Sequence, residues 1–277
     1  MKRILLFAIF NLIFCFAVFA QESLKLNQEA KFTLKNKEAK TFDLELKKGD
    51  YTQINWEDSL DRYPDFTIIS PNGKNISMGN YEENPMPFVA KETGKYTLVV
   101  KFEDTEENKV GNVAVSYSNV FKLPKSAKLM RQKTVNGYQI KSYTTSEEEK
   151  DGYGSYLLIQ KDGKLVDILK SGSLVGGGFN FSENPADYDF AGGKKSANLM
   201  KTTIDKTGDG TPDIAVGFYT GGAHCCFNMH FFELGKDEVR KLPTIEGNDS
   251  DIIAIGKNQK GSLILQTGDS NFAYWLT

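Results

Sequence analysis

The chain has few of the residues that carry most covalent and metal chemistry. Its 277 residues include two histidines, three cysteines and two tryptophans. Cys15 lies in the leading apolar run, so a mature chain would keep only Cys225 and Cys226, and two adjacent cysteines do not make a disulfide framework. There is no Gly-x-Ser-x-Gly and no His-Glu-x-x-His, and the Gly176-Gly-Gly178 run lacks the Lys-Ser/Thr of a phosphate loop and reads as a turn. Both histidines, His224 and His230, fall in one short stretch, so a Ser/His/Asp triad would have to use one of them, and no serine stands out. There is no excess of basic charge either. The net charge is -2, and removing Lys2 and Arg3 makes it more negative, which argues against a phosphate backbone as partner and so against nucleic acid. After residue 20 no run is long and apolar enough to span a bilayer, which takes about 20 residues.

The first twenty residues stand apart. Lys2 and Arg3 precede an apolar run from Ile4 to Ala20, broken only by Asn11, and Val18-Phe-Ala20 places small residues at cleavage positions ahead of the polar Gln21-Glu-Ser. This pattern is that of a secretory signal peptide over 1–20, which implies a secreted or periplasmic protein.

From 21 to 120 the sequence alternates apolar with polar, as a strand with one buried and one wet face requires. Phe32-Thr-Leu34, Phe42-Asp-Leu-Glu-Leu46, Tyr51-Thr-Gln-Ile-Asn-Trp56, Phe66-Thr-Ile-Ile69, Tyr96-Thr-Leu-Val-Val-Lys-Phe102 and Val113-Ala-Val-Ser-Tyr117 all show it. Turn chemistry separates them at Lys48-Gly-Asp50, Pro71-Asn-Gly-Lys74 and Glu92-Thr-Gly-Lys95. Short strands at this spacing predict an antiparallel β-sandwich. Phe66-Thr-Ile-Ile-Ser-Pro-Asn-Gly-Lys, followed by Pro87-Phe-Val-Ala-Lys-Glu-Thr-Gly-Lys-Tyr-Thr-Leu-Val-Val, resembles the bacterial pre-peptidase C-terminal domain. That resemblance implies a small jelly-roll-like accessory or binding module without catalysis. Asp61 and Asp65 read as solvated loop carboxylates, with an ion site the lesser alternative.

Residues 121–130, with Pro124 and several lysines, read as a linker, and 131–277 as a second domain. Tyr138-Gln-Ile-Lys-Ser-Tyr143 opens it, and Glu147-Glu-Glu-Lys-Asp151 reads as a solvated charged loop. Tyr156-Leu-Leu-Ile-Gln and Leu165-Val-Asp-Ile-Leu flank Asp162-Gly163, a strong hairpin signal. Asp213-Ile-Ala-Val-Gly217 is echoed by Asp251-Ile-Ile-Ala-Ile-Gly256, a faint repeat of the kind that builds propeller blades, in a segment too short for a full propeller. The apolar Phe272-Ala-Tyr-Trp-Leu276 leaves two expectations: a natural domain that runs on, or a last strand tucked into a sheet. The whole is predicted to be all-β: a sandwich followed by a β-rich, propeller-like domain.

The densest set of oxygen donors is Asp205-Lys-Thr-Gly-Asp-Gly-Thr-Pro-Asp213. Calcium takes about six to eight oxygen ligands from a tight loop. Asp205, Thr207 and Asp209 fall at alternate positions, Thr211 would add its backbone carbonyl, and Asp213 would close the ring directly or through water. Gly208 and Gly210 permit the turn. Val216 stands where an EF-hand has its closing Glu, and Ile214 to Tyr219 continue as a β-branched strand rather than a helix. Loop followed by strand resembles the FG-GAP and VCBS repeats of integrin-like propellers, and Gly221-Gly-Ala-His-Cys-Cys226 resembles an extension of that loop in secreted bacterial proteins. A structural Ca²⁺ is therefore expected.

His224 and Cys226 are too few for a closed transition-metal site, and His230 lies too far along a strand to join them. Cys225 and Cys226 are either a vicinal disulfide, which needs a distorted backbone, or two thiols. These features favour a secreted, calcium-stabilised binding or surface-accessory protein that is not an enzyme, with a cell-surface polysaccharide or a protein as partner. Two other readings stay open: a hydrolase of glycan or peptide using a carboxylate pair, and a thiol-redox protein centred on Cys225 and Cys226.

Overall fold

The computed structural model describes residues 22–35, 38–58, 64–77, 86–101, 110–145, 154–172, 179–181, 198–201, 204–219, 227–246 and 252–266. The leading run 1–20, Asp61, the Glu147–Asp151 loop, most of 173–197, the His224-Cys225-Cys226 stretch and the terminal Phe272–Leu276 lie outside them. Among the described residues no helix is long and apolar enough to cross a membrane.

The fold is all-β, built of several antiparallel sheets with no closed barrel among the described residues. The N-terminal half contributes β1 (Glu22–Ser23), β2 (Glu29–Lys35), β3 (Ala39–Leu46), β4 (Tyr51–Asp58), β5 (Asp65–Ile69), β6 (Asn75–Ser77), β7 (Met86–Val89), β8 (Gly94–Lys101) and β9 (Val110–Ser118). They form a five-stranded sheet in the order β1-β3-β8-β5-β6 and a four-stranded sheet in the order β2-β9-β4-β7. All these pairings are antiparallel except the short β1–β3 contact. The alternation in the sequence is the reason. Phe42, Leu44, Ile68, Tyr96 and Leu98 face inward from one sheet and meet Ile54, Trp56, Val113 and Val115 from the other, all in one buried cluster. Pro71-Asn-Gly-Lys74 makes the β5–β6 turn, with Gly73 at φ 80° and its N–H on the Ser70 carbonyl. Asp65 sits exposed at the start of β5.

The C-terminal half opens with β10 (Lys128–Val135), β11 (Tyr138–Thr144), β12 (Gly154–Lys161) and β13 (Lys164–Gly172), a four-stranded meander. β10 begins inside the stretch read as linker; the coil between the halves ends at Ala127. The signal for β10 is Asn136-Gly137, whose φ values of 48° and 80° are those of a type I′ hairpin. Asp162-Gly163 makes the β12–β13 turn in the same way, at 50° and 74°. Next come β14 (Asp213–Tyr219), β15 (Phe227–Leu234), β16 (Val239–Lys241) and β17 (Ile245–Glu246), with β16 and β17 both paired to β15, and then the hairpin β18 (Ile253–Lys257) and β19 (Leu263–Gln266).

These sheets stack. β12 is buried on both faces, so it reads as a continuous apolar run instead of alternating. Leu157 and Ile159 pack toward Ile214, Val216, Phe218 and Phe232 of the next sheet. Tyr156 and Leu158 point the other way and join Val89, Ile168, Tyr51, Phe121 and Leu123 in a cluster that ties the C-terminal half to the sandwich. β14 is likewise buried on both faces; its Ala215, with Met229 and Phe231 of β15, packs against Ile252 and Ala254 at the last hairpin. An ion pair reinforces the junction of the halves. The Lys91 ammonium donates to the Asp167 carboxylate at 2.6 Å and to the Val166 carbonyl at 2.8 Å.

Candidate functional site

The acidic loop sits where β14 begins and leans on the turn of the last hairpin. Asp205 organises it. One of its carboxylate oxygens accepts the N–H groups of Thr207 (3.1 Å) and Gly208 (2.6 Å), and the other accepts that of Gly210 (2.7 Å). Gly208 and Gly210 have φ of 85° and 84°, the left-handed region that glycine enters without cost from a β-carbon. Asp209 is exposed at the tip and accepts the Thr211 N–H at 2.8 Å, an Asx turn that closes the loop locally. Asp213, on β14, is fully buried. Its Oδ2 accepts the N–H groups of Lys206 (2.6 Å) and Thr207 (3.0 Å), while its Oδ1 has no hydrogen-bond partner.

So Asp205 and Asp213 converge through a shared donor, the Thr207 N–H, while Asp209 and Thr211 form a separate turn beside them. Among the described residues no group of three His, Cys, Asp or Glu side chains is placed to hold a metal by itself. Any cation would draw on these carboxylates together with backbone carbonyls. The acceptor count leaves room for that. A carboxylate has about four lone-pair sites. Asp205 uses three on amides and its fourth on the Thr207 hydroxyl at 3.4 Å, whereas Asp213 uses two and Asp209 one, so the spare sites lie on Asp213 and Asp209.

A cation of the chain's own is also present. Lys206 is buried, and its ammonium donates to the carbonyls of Lys201 (2.6 Å), Ile204 (3.0 Å) and Asp213 (2.9 Å). Burial pushes this amine down to about 7, against the opposing pull of Asp213. Burial likewise pushes the Asp213 carboxyl above the usual carboxylate range; the Lys206 and Thr207 amides and the Lys206 charge resist, and Glu233 adds to the rise. Asp205 shows the reverse balance. Burial raises it, but the Gly210, Gly208 and Thr207 amides and Lys257 outweigh that and hold it below the usual range. In sequence Lys206 looks like one more loop charge; only the three-carbonyl cage sets it apart.

The loop is pinned to the last hairpin. Leu263 donates its N–H to the Lys206 carbonyl at 2.6 Å, Ser262 donates its hydroxyl to the Thr207 carbonyl at 2.6 Å, and Lys257 donates to the Asp205 carbonyl. On β15, directly opposite Asp213, the buried Glu233 pairs with Arg240 of β16.

Of the cysteine–histidine stretch, the described part is β15 with His230. Its Nδ1 lies 3.0 Å from the Thr244 hydroxyl, and its ring meets Phe179 edge-on at 5.9 Å. Burial, with Lys241 nearby, pushes this imidazole down to about 3. The sign follows directly. The folded pKa lies below the unfolded value, so the stability contributed by neutral His230 is complete above about pH 6.5 and is lost as pH falls toward 3. At pH 5 the loss should be about 2 kcal/mol. His230→Gln should therefore be less sensitive to acid than the parent, as read by urea melts at pH 5 and pH 7.5; equal pH sensitivity would show that the ring is not held neutral.

A second feature was invisible in the sequence. At the junction of the halves lies a cleft of about 400 Å³, lined by Tyr51, Phe121, Tyr156, Lys122, Lys125 and Lys170 among others. Its residues come from β4, β7, the coil 119–127, β12 and β13, so no local pattern announces it.

No family model matches the chain, and no curated protein does. Solved structures similar to it include the periplasmic inhibitor of g-type lysozyme PliG from Salmonella Typhimurium, at 14% identity and a TM-score of 0.27, over 35% of this chain and 97% of that one. PliG from Aeromonas hydrophila is similar at 14% identity and a TM-score of 0.27, over 33% and 85%. The lipase BlEst2 of Bacillus licheniformis in its propeptide form is similar at 9% identity and 0.23, over 88% of this chain and 44% of that one. At these scores the likenesses place no function on the chain.

Proposed function

We propose that the protein is a secreted, calcium-stabilised binding or surface-accessory protein without catalysis of its own. The observation that carries the calcium part is the Asp213 Oδ1 atom, buried and without a donor, in a loop where Asp213 and Asp209 keep unused lone pairs. A buried carboxylate oxygen left without a partner costs free energy, on the order of 1–3 kcal/mol or more for a charged group. A divalent ion held by Asp213 and Asp205, with Asp209, Thr207 and the Thr211 carbonyl as further oxygen donors, would offset that cost and fasten the loop to β14. Thr207 Oγ1 at present leans on Asp205 at 3.4 Å and would turn to the ion.

The non-catalytic part is supported by His230. A base held near pKa 3 is a poor proton acceptor at neutral pH. The leading run 1–20 supports export.

Calcium should raise the melting temperature of the mature chain. At a free concentration of about a hundred times Kd the gain is about 2.7 kcal/mol, and Asp209→Ala, which removes one of the further donors, should reduce it. Superimposable melting curves in calcium and in chelator would sink the calcium reading.

A further inference from the structure

The charged side chains that line the cleft at the junction of the halves are all lysines. The chain as a whole is net negative, at -2, yet this cleft is lined by Lys122, Lys125 and Lys170 and by no carboxylate. Lys122 and Lys125 are exposed, so their charges reach solvent at its rim. Its inner wall is aromatic. Tyr51 and Phe121 meet edge-on at 5.2 Å, and Tyr156 packs in the same cluster. The Tyr51 hydroxyl donates to Gln53 at 2.7 Å, and Gln53 passes a hydrogen bond on to Asn55 at 3.1 Å, which fixes a polar strip beside the rings. Burial pushes the Tyr51 hydroxyl far up, so it stays a neutral donor. The Lys91–Asp167 pair and the shared cluster hold the two halves together here, so the cleft is preformed.

Rigid aromatic faces, a few fixed polar groups and cations at the rim suit a ligand with an apolar ring face and a negative edge. We propose that the cleft binds a carboxylate-bearing sugar chain, with pyranose faces against the aromatic wall and uronate groups at Lys122 and Lys125. This deepens the binding reading above, because it names the ligand class for a protein of that kind. An acidic peptide fits less well. Pro87 and Pro124 in the lining offer no N–H to an extended main chain, whereas a sugar needs ring faces and charge rather than main-chain partners.

The test is calorimetric titration of the full mature chain with oligogalacturonate, with an uncharged gluco-oligosaccharide and poly-glutamate as the other arms. Oligogalacturonate should bind, should weaken as salt is raised from about 50 to about 300 mM, and should weaken about tenfold in the double variant Lys122→Ala, Lys125→Ala. Both lysines are exposed, so the double variant should melt like the parent, and a melting curve checks that it folds. Equal binding of oligogalacturonate by parent and double variant overturns the assignment to this cleft. Stronger binding of the uncharged sugar overturns the acidic class while leaving a sugar-binding role intact. Stronger binding of poly-glutamate replaces the sugar by an acidic protein segment, and binding of none of the three overturns the proposal outright. Calcium-dependent melting is read separately, so loss of the cleft assignment and loss of the calcium reading are distinguishable.

Discussion

Gly208→Ala should destabilise the C-terminal half by about 3–4 kcal/mol and lower its melting temperature by about 10 °C. Two effects add. The residue holds φ at 85°, where a side chain costs roughly 1–2 kcal/mol. A β-carbon there would also stand 2.2 Å from the Lys260 carbonyl oxygen and 2.9 Å from the Ser262 nitrogen. Both are backbone atoms of the turn between β18 and β19, so relief requires the loop and the hairpin to separate. That separation would stretch the Leu263 N–H to Lys206 and Ser262 hydroxyl to Thr207 bonds, which join the two elements. Gly210 provides the control. It has nearly the same φ, 84°, with nothing within 4 Å of its would-be β-carbon. Gly210→Ala should therefore lose only the conformational share, about 1–2 kcal/mol. The difference between the two variants in urea melts measures the close approach alone. Equal losses would mean that the loop does not dock on the hairpin.

The sequence revealed strands where one face is wet and hid what happens where both are covered. Among the described residues, which stop at Lys101 in the run that begins at Tyr96, the six alternating runs of the N-terminal half lie on strands of the sandwich, because period-two alternation and a half-buried sheet are the same fact seen twice. The stretch around Pro124 carries the lysines and the proline of a linker. Its apolar members, Phe121 and Leu123, are packed against Tyr156 and Leu158 from the far side of β12. Nothing local in 121–127 tells that a sheet from another part of the chain arrives there. Asn136-Gly137 did hold a readable signal for β10, since two successive positive-φ positions between apolar residues mark a hairpin.

The acidic loop was legible as composition. Its spacing put Asp205, Asp209 and Asp213 in one turn, and the fold brings two of them to a shared amide. What spacing could not show is that most of Asp205's capacity goes to its own backbone, or that Lys206 turns inward. The first depends on the left-handed glycines that aim successive N–H groups at one carboxylate. The second depends on β14 being buried on both faces, which encloses the residue that precedes the loop's tip.

Lys206→Met should cost about 4 kcal/mol in chelator, which makes it the most damaging charge removal at this site. Methionine keeps the length and the apolar stem. It offers no N–H, so the carbonyls of Lys201, Ile204 and Asp213 lose the donor they share. Each buried carbonyl left wanting costs on the order of 1–3 kcal/mol, and the Asp213 carboxylate beside them loses its nearest cation. Removal of the buried, uncomfortable ammonium returns part of that, which is why the expected total stays below the sum of the parts. Lys257→Met supplies the contrast. Its ammonium also bonds a loop carbonyl, that of Asp205, but Lys257 is exposed, and a solvent-screened contact should be worth less than about 1 kcal/mol.

Calcium then separates two ways of holding the loop together. If the ion lies at the free Asp213 oxygen, the Lys206 charge opposes it across a buried site, and Lys206→Met should be stabilised by calcium more than the parent is. If the ammonium alone neutralises the loop, calcium should leave both proteins unchanged. A Lys206→Met variant that melts with the parent in chelator would show that the three-carbonyl cage is not what closes the start of β14.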